Sequence, residues 1–139
     1  MTMNEDEKKL LEVVRNDQKN FEAHQDLGKL YVKLGDRDKA VQYYKKALEL
    51  NISDGWTHLY IGNVFYAKHQ FQDALKWFFE ALKLIPEVPA PYWCIANAYE
   101  KINDFENADI FYKKAVEVDP DDDQAHRLLA KWLTSKNIK

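Results

Sequence analysis

The sequence predicts an all-α fold, a solenoid of stacked antiparallel helix pairs, and three observations carry that prediction. First, Tyr43-Tyr44-Lys45-Lys46-Ala47-Leu48-Glu49-Leu50-Asn51 and Phe111-Tyr112-Lys113-Lys114-Ala115-Val116-Glu117-Val118-Asp119 read almost alike, 68 residues apart. Midway, Trp77-Phe78-Phe79-Glu80-Ala81-Leu82-Lys83-Leu84-Ile85 repeats the pattern, so the period is 34. Second, apolar residues recur three and four apart through His24, Leu27, Tyr31 and Leu34, and again through Ala40, Tyr44, Ala47 and Leu48. That spacing is helical. Third, 46% of the chain is hydrophobic and 14% aromatic, with four Gly and four Pro, which is too apolar for a disordered chain.

A lone helix is predicted at residues 5–16, with Leu10, Leu11, Val13 and Val14 packing ahead of the first unit, within a segment 5–20. Three full units follow at 21–54, 55–88 and 89–122, and their columns align. Leu27, Ile61, Ile95 and Leu129 form one column, and Gly28, Gly62, Ala96 and Ala130 the next. Tyr31, Phe65, Tyr99 and Leu133 follow, then Ala40, Ala74 and Ala108, and then Tyr44, Phe78 and Tyr112. Small residues let two helices approach closely, and the aromatic columns fill the space between them. Gly35-Asp36, His69-Gln70 and Asn103-Asp104 split each unit into two helices. Gly and Asn suit a left-handed residue at a helix end, whereas His fits poorly. Pro86 and Pro120 end the second helices of their units, and Pro89 and Pro91 sit where the next helix begins. Residues 123–139 predict a single C-terminal capping helix, in the place of the first helix of a fourth unit.

These columns resemble the tetratricopeptide repeat, whose signature is an aromatic, a Leu-Gly pair, a Tyr, an Ala, a Phe or Tyr, an Ala and a Pro at these spacings. His24, His58, Tyr92 and His126 stand where that signature has Trp, and Ile52 stands for a Pro. The resemblance implies a right-handed superhelix whose concave groove is lined by the first helix of each unit, and a function in protein binding.

Composition narrows the remaining functions. Twenty basic against twenty-three acidic residues give a net charge of −3, where a nucleic-acid binder would be basic. The longest uncharged stretches, Gly55–Ala67 and residues 88–99, are too short to span a bilayer. Residues 1–9 carry no apolar stretch of the signal-peptide kind, and Cys94 is the sole cysteine, so a reducing, cytoplasmic location is expected. Neither nucleic acid nor membrane is an expected partner.

No catalytic, cofactor or metal site is expected. His24, His58 and His126 occupy one column and would be held roughly 10 Å apart, too far to share a zinc ion. Asp119, Asp121 and Asp123 begin like a calcium loop, but Gln124 stands where Gly is needed and Ala130 where the bidentate Glu belongs. They suit instead the start of a helix. Gly28, Gly35, Gly55 and Gly62 are scattered and form no phosphate loop, and Cys94 has no His close in sequence.

If the first helices line the groove, as the resemblance implies, its anchors are Trp56, Leu59, Tyr60, Tyr66 and Trp93. Clustered exposed aromatics mark an interaction site. Asn63 and Asn97, in register, can hold a peptide backbone. Lys29, Lys101, Arg127 and Lys131 favour acidic neighbours. Related domains grip the C-terminal acid of Hsp70 or Hsp90 through a carboxylate clamp of Lys, Asn and Arg. The matching places here are Gln25, Lys29, Tyr60, Ala90 and Cys94, or one unit later Leu59, Asn63, Cys94, Gln124 and Leu128. Neither set supplies the cations that two carboxylates require, so no clamp-type binding is expected. Leu128 and Trp132 are expected to form an apolar edge at the C-terminal end, covered by another molecule, by a second copy or by further sequence downstream. The leading reading is therefore a non-catalytic scaffold that binds a partner's peptide or helix in the groove. The alternative is a unit that self-assembles, as dimer or filament, through the C-terminal helix.

Overall fold

The computed structural model describes the backbone of residues 3–138; residues 1, 2 and 139, the last of them the end of the predicted cap, lie outside the described residues. Its helices are α1 (Glu5–Asn16), α2 (Phe21–Leu34), α3 (Arg37–Leu50), α4 (Gly55–Ala67), α5 (Phe71–Leu84), α6 (Ala90–Lys101), α7 (Phe105–Val118) and α8 (Asp123–Ile138). Each packs on the next in chain order.

Local chemistry sets the helix starts. Side-chain oxygens of Asn20, Asp36, Asp54, Asp104 and Asp122 accept from the backbone N–H of Ala23, Lys39, Thr57, Asn107 and Ala125 respectively. Each such cap contributes about 1 kcal/mol. Helix α6 begins instead on Pro89 and Pro91, whose missing N–H groups would find no partner in a first turn. The turn inside each unit ends its first helix on a left-handed residue: Gly35 (φ 83°), His69 (φ 61°) and Asn103 (φ 64°). The position of His69 is thus dictated by the fold against the residue's own preference.

The small column explains the tight packing within units. A Cβ on Gly28 would come within 2.5 Å of the Tyr44 ring, and one on Gly62 equally near Phe78. The core runs across unit boundaries. Tyr44 and Leu48 of the first unit cluster with Ile61 and Val64 of the second. Leu75 and Phe78 of the second cluster with Ile95 and Ala98 of the third. Ala96, Ala108 and Tyr112 of the third cluster with Trp132 of α8. Neighbouring units therefore share their cores, as stacked repeats do.

Both ends hold half of a helix pair. Leu10, Val13 and Val14 of α1 stand 34 residues before Tyr44, Ala47 and Leu48, so α1 takes the place of a second helix. It is tied to α2 by the Tyr31 hydroxyl, which donates to Glu7 at 2.6 Å. Helix α8 takes the place of a first helix.

The expected edge of Leu128 and Trp132 is corrected here. Trp132 is only 4% exposed, packed on Tyr112 and Phe105 with ring centroids 5.6 and 5.9 Å apart. Its column, with Leu30, Val64 and Ala98, faces back toward the preceding helices, which are present, and Leu128 packs against the same cluster. The face left open is the one a second helix would cover, with Ala130 exposed and Leu133 38% exposed.

Candidate functional site

From α4 onward the first helices approach one another, α4 reaching α6 and α6 reaching α8, whereas α3, α5 and α7 stand further apart. First helices thus form the inner side of the curve. Outward-turned residues of α2, α4, α6 and α8 define the inner face.

Its centre is α4. Trp56 is 39% exposed and lies 6.4 Å from the Tyr60 ring, which in turn lies 5.7 Å from Tyr44. The Lys29 ammonium sits 4.9 Å above the Tyr60 ring, a cation–π contact across the boundary between units. Beside Tyr60 opens a cavity of about 210 Å³ lined by Val32, Arg37, Tyr44, Tyr60, Asn63, Val64 and Ala67. Its walls are aliphatic, and its polar groups are a guanidinium, an amide and two phenols. Burial holds the Tyr44 hydroxyl far above its ordinary pKa, so it stays a neutral donor.

The remaining predicted residues divide. Trp93 is half-buried and Lys101, Arg127 and Lys131 are exposed, all available to a partner. Leu59 is 3% exposed and belongs to the core beside Ala90 and Cys94, so it shapes the floor of the face without presenting a side chain. Tyr66 packs edge-on against Phe71, centroids 5.2 Å apart, at the rim. The two asparagines differ. Asn63 is exposed, its Oδ1 3.7 Å from Cys94 Sγ, whereas Asn97 and Glu100 share the hydroxyl of Tyr112. Asn97 therefore braces α6 on α7, and only Asn63 is well placed to hold a peptide backbone.

Arg37 was not among the predicted residues. It stands in the column of Phe71 and Phe105, so an Arg replaces the ring that packs at this place in the other two units. That break in an aromatic column is the signal by which sequence could have found it. Gln25, a clamp place, is committed within the fold: its Nε2 donates to Thr57 Oγ1 at 2.9 Å and lies 3.3 Å from Asp54.

The groups with chemical potential are shielded or held. Cys94 is buried, and desolvation pushes its thiol up to about 12, so no thiolate forms at neutral pH. His24 Nδ1 and His58 Nδ1 lie 2.9 Å from the carbonyls of Asn20 and Asp54. Each ring thus closes the first turn of its helix. Among the described residues no cluster of His, Cys, Asp or Glu is arranged to hold a metal ion, and no helix is long and apolar enough to cross a membrane.

Family models for the tetratricopeptide repeat match residues 21–54 and 91–122. No curated protein matches the chain. Among solved structures, the chain is similar to MamA, with a TM-score of 0.79 and 19% identity over 99% of this chain and 87% of that one. A MamA fragment (41-end) from Desulfovibrio magneticus RS-1 gives 0.80 and 24%, over 94% of this chain and 74% of that one. The first TPR of Spaghetti (RPAP3), solved bound to the HSP90 peptide SRMEEVD, gives 0.75 and 19%, over 87% and 96%. At these identities the likeness is one of fold.

Proposed function

The chain belongs to the tetratricopeptide-repeat family, and from that premise we propose that it is a non-catalytic protein-interaction scaffold whose inner face takes a peptide or helix of a partner. One observation carries the reading. On α4, exposed Trp56 and half-buried Tyr60 form an aromatic pair beside a cavity, with Lys29 stacked over the Tyr60 ring. An apolar anchor with a polar rim is the anatomy of a binding surface. Trp93 extends the apolar strip, Asn63 supplies the backbone contact, and Lys101, Arg127 and Lys131 bias the face toward acidic segments. Such rim charges act mainly on association rate and selectivity. The units at 21–54, 55–88 and 89–122, with the helices that flank them, act as one domain. A sole cysteine that is buried and unpaired suits a reducing, cytoplasmic setting.

The test is capture from source lysate by wild type, by a Trp56→Ala/Asn63→Ala variant and by a Lys83→Ala control on an exposed second-helix position. A protein held by wild type and control but lost by the double variant supports the reading. Equal capture by all three refutes the inner-face assignment.

A second reading, self-association, is favoured by the apolar outer face of α8, where Ala130 and Leu133 are exposed.

A further inference from the structure

Helix α8 carries apolar residues on two sides, as a first helix inside a stack does. One side, with Ala125 and Trp132, is buried in the protein. The other carries His126, Leu129, Ala130 and Leu133 at spacings of three and four. In the full units the matching columns lie under the unit's own second helix. Leu27, Ile61, Ile95 and Ala96 are completely buried there, whereas Leu129 is half-buried and Ala130 and Leu133 are exposed. We propose that this face docks on the same face of a second copy of the chain, α8 against α8, antiparallel about a two-fold axis.

Three features select that occupant. The stripe is self-complementary, being centred between Leu129 and Ala130. Antiparallel pairing therefore sets Leu129 opposite Ala130 and His126 opposite Leu133. Large meets small at the axis, where two helices must come closest. Charge also runs along α8 from acid to base, with Asp122 and Asp123 at its start and Lys131 and Lys136 in its second half. Antiparallel pairing brings the acidic start of each α8 beside the basic second half of the other, twice, and opposes the helix dipoles; a parallel pair would set acid against acid. Finally, the half-pair at the other end is a poor fit. Where the full units have the buried Ala40, Ala74 and Ala108, α1 has Asp6, and where they have Tyr43, Trp77 and Phe111 it has Lys9. Docking α1 on α8 would place a charge at the closest contact.

This inference rests on the self-association reading above and supplies its geometry. A single helix pair falls below the roughly 1,200 Å² of a standard interface, so the dimer is weak, with a Kd on the order of 100 μM.

Sedimentation equilibrium over about 10–500 μM brackets that Kd, and compares wild type with Leu133→Glu, an exposed position whose fold is checked by circular dichroism. The wild-type mass should climb toward the dimer, and Leu133→Glu should weaken association by about tenfold or more. Ala130→Cys, beside the axis, should form a covalent dimer on mild oxidation, since Cys94 is buried. A wild type that stays monomeric throughout overturns both this inference and the self-association reading. A dimer indifferent to Leu133→Glu overturns the α8 pairing alone. So does a chain that cross-links only when Ala130→Cys is mixed with Leu10→Cys.

Discussion

The indole Nε1 of Trp132 donates to Asp109 Oδ1 at 2.9 Å, joining α8 to α7 across the last boundary of the stack. The same carboxylate takes Lys113 at 2.8 Å and Lys136 at 3.3 Å. The hydrogen bond from Lys113, then that from Trp132, hold its pKa down to about 2 against an ordinary 3.8. Folding favours the charged form, so this stabilisation is complete above the ordinary carboxylate range and is lost as pH falls toward 2. Thermal melts from pH 5 to pH 2 should therefore show a steeper loss in wild type than in Asp109→Asn. Parallel curves for the two proteins would contradict the assignment.

Gly62 and Phe78 make the second prediction. A Cβ added at Gly62 meets a ring that is 1% exposed and cannot move aside. Overpacking of this kind costs about 1–3 kcal/mol, against the roughly 1 kcal/mol by which Ala improves a helix. Gly62→Ala should lower the urea midpoint. Ala96, in the same column, is buried without such a cost because the third unit is built around it, so Ala96→Gly should also destabilise, by loss of packing. Stabilisation by either change would show that the small column does not set the helix spacing.

The turns give a pair of opposite signs. Gly35 and His69 share a left-handed backbone. Gly35→Ala should destabilise by about 1 kcal/mol, while His69→Gly should stabilise by a few tenths to about 1 kcal/mol, reduced by the lost ring contact with Phe71. Chemical denaturation of both variants measures this, and equal signs would contradict it.

Much of this was legible in sequence because the repeat reports columns. The alternation of Gly28 with Tyr44 and Gly62 with Phe78 dictated helix pairing, and Gly35, His69 and Asn103 marked the turns. A column does not say which neighbour it faces. Trp132 belongs with the interior residues Leu30, Val64 and Ala98, and those face backward, so α8's open side is Leu129, Ala130 and Leu133. Nor does a column report what stands across from it. Asn63 and Asn97 look equivalent, but Tyr112 offers Asn97 a hydroxyl that Phe78 cannot offer Asn63. Arg37 opens a second helix, outside the groove-lining columns of the first helices, yet the cavity borrows it and Tyr44 from α3.

A chaperone tail is a sharp negative case. Gln25 is committed to Thr57, Cys94 is buried and uncharged, and Tyr60 already carries Lys29. A peptide ending in two acids and a free carboxylate should show no saturable binding by calorimetry at micromolar concentrations. Tight binding would mean that Lys29 and Arg37 form a clamp of another design.

The most direct test of the inner-face account uses the four tryptophans as reporters. Trp56 and Trp93 lie on first helices, Trp77 packs between His58 and Phe65 on a second helix, and Trp132 is sealed against α7. With a captured partner segment titrated into labelled protein, the indole N–H resonances of Trp56 and Trp93 should shift while those of Trp77 and Trp132 stay in place. Shifts confined to Trp77 or Trp132 would contradict binding on the inner face.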